Sequence, residues 1–182
     1  MSRLPRLTPS EMSDSQRALY DGIAGGPRAS GPFALVGDDG ALEGPFNAML
    51  LQPALGEALQ ALGGAVRYRT ELSTRSREIA ILTVARVWDS DFERQAHEAV
   101  ARASGMSSVE LAGLRTGDPS VFTDPGERAV LDVATALAER SDLTDDEYEN
   151  AVDALGRPAL FELTTLVGYY ATLALQLRVF RV

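Results

Sequence analysis

Acidic side chains and the single histidine of the chain occur at spacings that suit acid–base chemistry. His97 lies four residues after Glu93 and seven after Ser90, so the three share one face of a helix. Glu78 precedes a short turn at Asp89, which places it on the preceding helix. An imidazole titrates near neutral pH, and a neighbouring carboxylate can orient it or, when desolvated, act as an acid or base itself. We therefore predict a polar cluster of Glu78, Ser90, Glu93 and His97 and take these four residues as the candidates for catalysis.

Each member of this cluster also has a structural interpretation. Ser90 and Glu93 fit a capping box, in which a small polar residue and a Glu three positions later satisfy backbone donors at a helix start. Glu78 could instead pair with Arg75 on the surface of its own helix. One histidine and two carboxylates could also hold a divalent metal. We expect neither a metal nor an organic cofactor.

The composition excludes several other classes of site. The 182 residues contain no cysteine, which excludes thiol peroxidase chemistry, disulfides and zinc-finger sets. All 17 basic residues are arginine, so Schiff-base and phosphate-loop lysine chemistry is excluded as well. The formal net charge is −9 and no basic block occurs, which argues against nucleic acid or anionic lipid as a partner.

Helix-start signals recur along the chain and predict an all-α protein. A small polar residue followed three positions later by Glu occurs at Thr8/Glu11, Ser90/Glu93, Ser107/Glu110, Asp124/Glu127 and Thr144/Glu147. Together with the apolar pattern, these signals predict helices over residues 9–24, 46–66, 74–88, 91–104, 108–115, 125–140, 145–155 and 158–179. Pro53 is expected to break or kink the second of them.

Three segments bear on the architecture. Helix 74–88 is apolar on nearly every face after Glu78, so we expect it to be buried and to draw that carboxylate into the core. The last helix is similarly apolar, but its charged residues argue against a membrane span, and the start of the chain lacks a signal peptide, so we expect a cytoplasmic protein. Residues 25–45 hold six glycines and three prolines, which predicts a loop that covers a pocket or reaches a neighbouring subunit.

The spacing Glu-x11-Ser-x2-Glu-x3-His, from Glu78 to His97, resembles the carboxymuconolactone decarboxylase family. The surrounding sequence is also similar, in Gly44-Pro45-Phe46-Asn47-Ala48-Met49-Leu50, Arg77-Glu78-Ile79-Ala80-Ile81-Leu82 and Ala101-x3-Gly105-Met106. Alkylhydroperoxidase D-like (AhpD-like) proteins of the same superfamily use Glu-x11-Cys-x2-Cys-x3-His for a thiol relay. Here Ser90 and Glu93 stand at the two cysteine positions, so the relay is not carried over.

The resemblance implies one AhpD-like helical bundle over residues 1–182 that forms a homo-oligomer, a trimer or hexamer, with its site near a subunit interface. It also implies a cofactor-independent acid–base lyase that removes CO2 from a small carboxylated lactone or ring compound, the type substrate being 4-carboxymuconolactone. An isomerase or cyclase of a secondary metabolite in the same pocket is one alternative. A non-catalytic oligomer that binds a ligand is another.

An arginine could bind the carboxylate of such a substrate through two parallel hydrogen bonds. We predict Arg86 or Arg94 for this role, although no spacing selects between them. Tyr68, which stands between Arg67 and Arg69, is a further candidate for lining the pocket. The expected partners are a small-molecule substrate and other copies of the chain.

Overall fold

The computed structural model describes residues 2–182 and arranges them as a bundle of α-helices. These are α1 (Asp14–Ala24), α2 (Pro45–Met49), α3 (Pro53–Tyr68), α4 (Thr74–Val87), α5 (Asp91–Ala103), α6 (Ser108–Thr116), α7 (Pro125–Arg140) and α8 (Asp145–Phe180). Short 3-10 turns lie at Pro9–Glu11, Pro27–Ser30 and Pro119–Val121. Within the described residues no strand forms, although one isolated antiparallel bridge joins Val36 and Leu42. The predicted all-α class is therefore confirmed.

Local sequence signals account for the differences from the predicted helix boundaries. The helix predicted over 9–24 is a 3-10 turn followed by α1, because the Ser13 side chain caps α1 by accepting from the backbone N–H of Gln16. The helix predicted over 46–66 is divided into α2 and α3, and Pro53 begins the second. The last two predicted helices both form within α8, as predicted, and are separated at Gly156, where the backbone is non-helical with φ of +80°.

Four of the five predicted helix starts carry the expected cap. Capping boxes form at Thr8/Glu11, Ser107/Glu110 and Thr144/Glu147, and the Asp124 side chain accepts from the backbone N–H of Glu127. Ser90 precedes α5, but its side chain makes no capping hydrogen bond there. The capping-box prediction for Ser90 and Glu93 is wrong because both side chains are buried against the bundle.

Helix α4 lies at the centre of the bundle and packs against α5, α6, α7 and α8. Every residue from Glu78 to Ala85 is buried, as the apolar sequence of this helix predicts. Burial of each large aliphatic side chain contributes about 1.5–3 kcal/mol, so this central position stabilises the packing of α4 in the bundle. No helix in residues 2–182 is both long enough and apolar enough to cross a membrane.

A tight turn joins α4 to α5 and determines how the two helices face each other. Asp89 adopts a left-handed conformation with φ of +52°, which a short polar side chain tolerates better than most residues. The backbone N–H of Ser90 then donates to the carbonyl of Ala85 at 2.8 Å. The chain reverses within this turn, so α5 packs back along α4 and residues near the start of α4 meet the middle of α5.

Residues 2–8, which we call the N-terminal strap, connect the end of α8 to the 25–45 loop. The backbone N–H of Arg3 donates to the carbonyl of Phe180 at 2.8 Å. Arg6 forms ion pairs with Asp39 at 2.6 Å and Glu43 at 2.7 Å. The strap therefore holds the far end of the loop against the bundle.

Candidate active site

A buried Glu–His pair forms where α4 and α5 face each other. Nδ1 of His97 lies 2.7 Å from Oε2 of Glu78, and the two residues are 8% and 2% exposed. A carboxylate only accepts hydrogen bonds, so Nδ1 carries the proton of this bond. Nε2 is then the nitrogen of the ring that is available to a ligand. The Tyr170 ring meets the imidazole edge to face with 5.1 Å between centroids, which further fixes its orientation.

Glu93 is a second buried carboxyl group, one helical turn before His97 on α5. It is 2% exposed, and neither carboxyl oxygen has a hydrogen-bond partner within residues 2–182. Burial raises the pKa of Glu93 to about 8, and the nearby Ser90 hydroxyl opposes that shift without making a hydrogen bond of standard geometry. At neutral pH this group is therefore mainly protonated and can donate a hydrogen bond or a proton.

Both carboxyl groups and the imidazole border a cavity of about 400 Å³, a volume typical of small-molecule sites. Helix α5 contributes the face formed by Phe92, Glu93, Ala96, His97 and Val100. Most of the remaining wall is apolar, and it surrounds the polar groups that project into the cavity. Electrostatic interactions are stronger in such surroundings than in bulk water.

The 25–45 loop forms one wall of this cavity, which agrees with the prediction that it covers a pocket. Phe33 of the loop packs edge to face on Phe92 of α5, with 5.2 Å between ring centroids. Gly44 makes room for Phe92, since a Cβ at that position would lie 2.2 Å from the phenyl ring. These contacts dock the middle and the C-terminal end of the loop onto the face of α5 that carries Glu93 and His97.

Three arginines line the cavity: Arg28 from the loop, Arg67 from α3 and Arg77 from α4. None of them lies within 4.0 Å of a carboxylate oxygen belonging to residues 2–182. Nη1 of Arg67 donates instead to the Tyr170 hydroxyl at 3.1 Å, and Nη2 of Arg77 donates to Oγ1 of Thr74 at 3.0 Å. Because Glu93 is mainly neutral, the cavity carries a net positive charge and favours an anionic ligand.

The predicted site residues are divided between the cavity and other parts of the bundle. Glu78, Glu93, His97 and Tyr68 line the cavity, and Ser90 is buried beside Glu93 without lining it. The expectation for Arg94 is not met, because it follows Glu93 by one residue and points about 100° away around α5, where it pairs with Asp91 at 2.5 Å.

Arg86 is also absent from the cavity wall. It lies eight residues after Glu78, about 12 Å further along α4, and approaches Glu139 of α7 at 3.7 Å. Arg28, Arg67 and Arg77 are the arginines that sequence reasoning missed. Of these three, only Arg67 could have been suspected from the sequence, because it adjoins Tyr68, which was predicted to line the pocket.

Two alternative roles for the acidic residues are not supported by the arrangement. Arg75 does not pair with Glu78 but binds Glu110 at 2.5 Å and Glu127 at 2.6 Å, on the other side of α4. Across residues 2–182, no group of three or more His, Asp or Glu side chains is arranged to hold a metal ion.

Comparisons with known proteins bear on the family and on the fold. Residues 53–136 match the model of the carboxymuconolactone decarboxylase family, a span that includes all of Glu78, Ser90, Glu93 and His97. A crystal structure described as an alkylhydroperoxidase AhpD core, an uncharacterised peroxidase-related protein from Ralstonia eutropha JMP134, has the same fold. Its TM-score is 0.77 at 14% identity, over 98% of this chain and 89% of the other. No curated protein matches the sequence. The predicted resemblance to the family is thus confirmed.

Proposed function

We propose that this chain, a cysteine-free relative of the carboxymuconolactone decarboxylases, is a cofactor-independent acid–base enzyme that acts on a small carboxylated lactone or ring compound. The observation that supports this most strongly is the buried 2.7 Å pair of Glu78 and His97 at one cavity with Glu93, whose pKa burial raises to about 8. A buried carboxyl group with a raised pKa at the same cavity as a histidine is typical of sites of acid–base catalysis.

His97 is proposed as the group that exchanges a proton with the substrate. Glu78 fixes the ring through Nδ1 and stabilises the imidazolium form, so that Nε2 can deliver or accept the proton. Glu78 is therefore a positioning residue in this scheme. Glu78 is only 2% exposed, so water does not compete for its carboxylate. The bond to Nδ1 therefore holds the imidazole of His97 in one orientation.

Glu93 is proposed as the hydrogen-bond donor to the oxygen on which negative charge develops. When a carboxylate leaves as CO2, the electron pair of the broken C–C bond passes into a conjugated carbonyl and forms an enolate. The neutral Glu93 carboxyl can donate to that oxygen, and the imidazolium of His97 then protonates the carbon. The carboxylate is lost as CO2, one proton is consumed, and no redox partner is needed.

The test is to offer 4-carboxymuconolactone to the protein and follow loss of substrate and release of CO2. We expect turnover by the wild type and a decrease of about 10²–10⁴-fold in His97→Asn, which is typical for loss of a general acid or base. Glu149→Gln, which alters an exposed carboxyl group on α8, is the matched control and should retain activity. Equal turnover in wild type and His97→Asn would contradict the proposal.

A second candidate is isomerisation or cyclisation of a larger apolar substrate in the same cavity. The aromatic wall formed by Phe33, Phe46 and Phe92 favours this possibility. It would be recognised by activity on such compounds, dependent on His97, with none on the muconolactone. A protein that only binds its ligand would show neither reaction.

A homo-oligomer, trimeric or hexameric, is part of the proposal. Supporting it, α8 leaves Phe161, Leu175 and Val179 between 46% and 73% exposed, and exposed apolar surface is a feature of protein–protein interfaces. Light scattering of the purified protein measures the assembly directly. The Phe161→Glu substitution should weaken the interface and lower the mass of the assembly. A monomeric wild type would contradict the proposal.

A further inference from the structure

Helix α3 is apolar on nearly every side, yet the bundle covers only one side of it. Of its 16 residues, only four have a polar side chain: Glu57, Gln60, Arg67 and Tyr68. Its buried residues also lie on one side: Gly56, Gly63 and Val66. A helix that is hydrophobic all round is normally buried on all sides. The uncovered surface of α3 therefore calls for a partner outside the single chain.

Leucines and alanines make up this uncovered surface. Leu55 and Leu62 are 64% and 41% exposed, and they lie two helical turns apart on the same side of α3. Leu51, just before the helix, is 50% exposed. Beside the leucines runs a row of exposed alanines at intervals of four and three residues: Ala54, Ala58 and Ala61. Contiguous apolar surface of this kind marks interaction sites, whereas single exposed leucines do not.

A groove runs along the other flank of α3, where the helix packs against α1. Its volume is about 490 Å³, and most of the residues that line it are small: Ser15, Ala18, Gly22, Pro53, Ala54 and Ala61. Successive residues are about 100° apart around a helix, so the alanines of α3 form a crest between this groove and the leucines. We call the leucines, the alanines and the groove together the α3 face.

The α3 face carries little charge in a strongly acidic chain. The formal net charge is −9, so two copies of the chain repel each other on average. Of the described residues that line the groove, Glu57 alone is charged. Arg17 of α1 is already paired with Asp21 at 3.0 Å. Copies of the chain therefore meet little repulsion at this face, and an anionic lipid surface, which binds clusters of free basic side chains, does not fit it.

We propose that the α3 face binds the α3 face of a second copy across a two-fold axis. In a two-fold interface the same surface meets itself, so one surface must present both a projection and a recess. Leu55 and Leu62 supply the projection, and the groove between α1 and α3 supplies the recess on the other side of the crest. The small alanine side chains of the crest allow the two α3 helices to approach closely.

The size of the α3 face and its symmetry have consequences for the assembly. With about 1.5 Å per residue and a diameter of about 10 Å, α3 and α1 side by side have a footprint of roughly 400 Å². Projecting side chains make the accessible area larger, towards the ~800 Å² that each partner buries in a stable complex. A two-fold interface requires an even number of copies, so it favours the hexamer over the trimer. This inference rests on the proposed function only in that copies of the chain associate.

Light scattering of Leu55→Glu and Leu62→Glu variants tests the interface in solution. Each substitution places two carboxylates in the proposed contact, so the mass of the assembly should halve, from hexamer to trimer or from dimer to monomer. Val109→Glu is the matched control, because Val109 is 66% exposed but lies on α6, and it should keep the wild-type mass. Circular dichroism verifies that the variants remain folded.

The absence of cysteine from the chain allows a second, independent test. Residues close to a two-fold axis face their own counterparts, so Ala58→Cys or Ala61→Cys should form a disulfide-linked dimer on mild oxidation. Ala112→Cys, at an exposed alanine of α6, is the control and should stay unlinked. Electrophoresis without reductant distinguishes the two results.

The outcomes separate this inference from the proposed function. A trimeric or monomeric wild type, an unchanged mass in both leucine variants, or no linkage in either cysteine variant of α3 overturns the inference. A wild-type dimer that the leucine variants dissociate supports the α3 face and contradicts the proposed trimer or hexamer. If the α3 face is confirmed but no reaction depends on His97, the interface stands and the enzymatic proposal fails. Should a leucine variant not fold, the cysteine variants decide.

Discussion

The protonated Glu93 makes the stability of the fold depend on pH in a defined direction. Burial moves the pKa of Glu93 from its ordinary 4.5 to about 8. The folded state therefore binds this proton more tightly than the unfolded chain, so the stabilisation is complete below pH 4.5, decreases as the pH rises towards 8 and then levels off. Each pKa unit corresponds to about 1.4 kcal/mol, so the whole interval amounts to roughly 5 kcal/mol, of which about 2 kcal/mol falls between pH 6 and pH 8.

Glu93→Gln isolates this contribution, because the amide has the same shape and does not titrate. We expect the difference in unfolding free energy between wild type and variant to change by about 2 kcal/mol between pH 6 and pH 8, with the wild type losing stability. Urea unfolding at one protein concentration, followed by the fluorescence of the single tryptophan, Trp88, measures it. Glu149→Gln should keep the wild-type pH dependence. Parallel profiles for wild type and Glu93→Gln would refute a neutral Glu93.

Three further predictions rest on single contacts. Gly63→Ala places a Cβ 2.1 Å from the Tyr169 hydroxyl and should cost about 1–3 kcal/mol in urea unfolding, whereas Gly64→Ala, with no atom within 4 Å, should be neutral or stabilising. Glu78→Gln weakens the buried bond to the imidazole, and we expect a loss of about 1–3 kcal/mol in the same assay together with lower turnover. Gly156→Ala imposes a φ of +80° on a residue with a Cβ and should lower the melting temperature, at a cost of about 1–2 kcal/mol.

Signals that act within one helical turn made much of the fold predictable. Pro53 and the cap at Thr144 mark helix starts through backbone groups that lie next to them in sequence. Ser90 and Glu93 carry the same local signal, but they belong to a helix whose inner face packs on α4. Burial against another helix is a property of the assembled bundle, so the local pattern could not distinguish an outward cap from an inward carboxyl group.

The site was predictable where its members lie on adjoining helices and unpredictable elsewhere. Glu78 and His97 are joined by one short turn, so spacing alone placed them together. Arg28 enters from a loop whose path depends on docking of Phe33, and Arg67 enters from α3, which has no sequence link to the motif. Arg94 follows Glu93 in sequence, but its side chain points to another side of α5 and pairs with Asp91. Sequence proximity to Glu93 therefore did not predict which arginines line the cavity.

The N-terminal strap has a practical consequence for anyone who expresses this protein. Arg6 holds Asp39 and Glu43, and the loop to which they belong supplies one wall of the cavity. An affinity tag fused ahead of residue 3, or a deletion that removes Arg6, would act on that wall from outside the pocket. Affinities and rates measured on tagged or shortened protein would then describe an altered cavity, so untagged protein that keeps residues 2–8 is the proper reference.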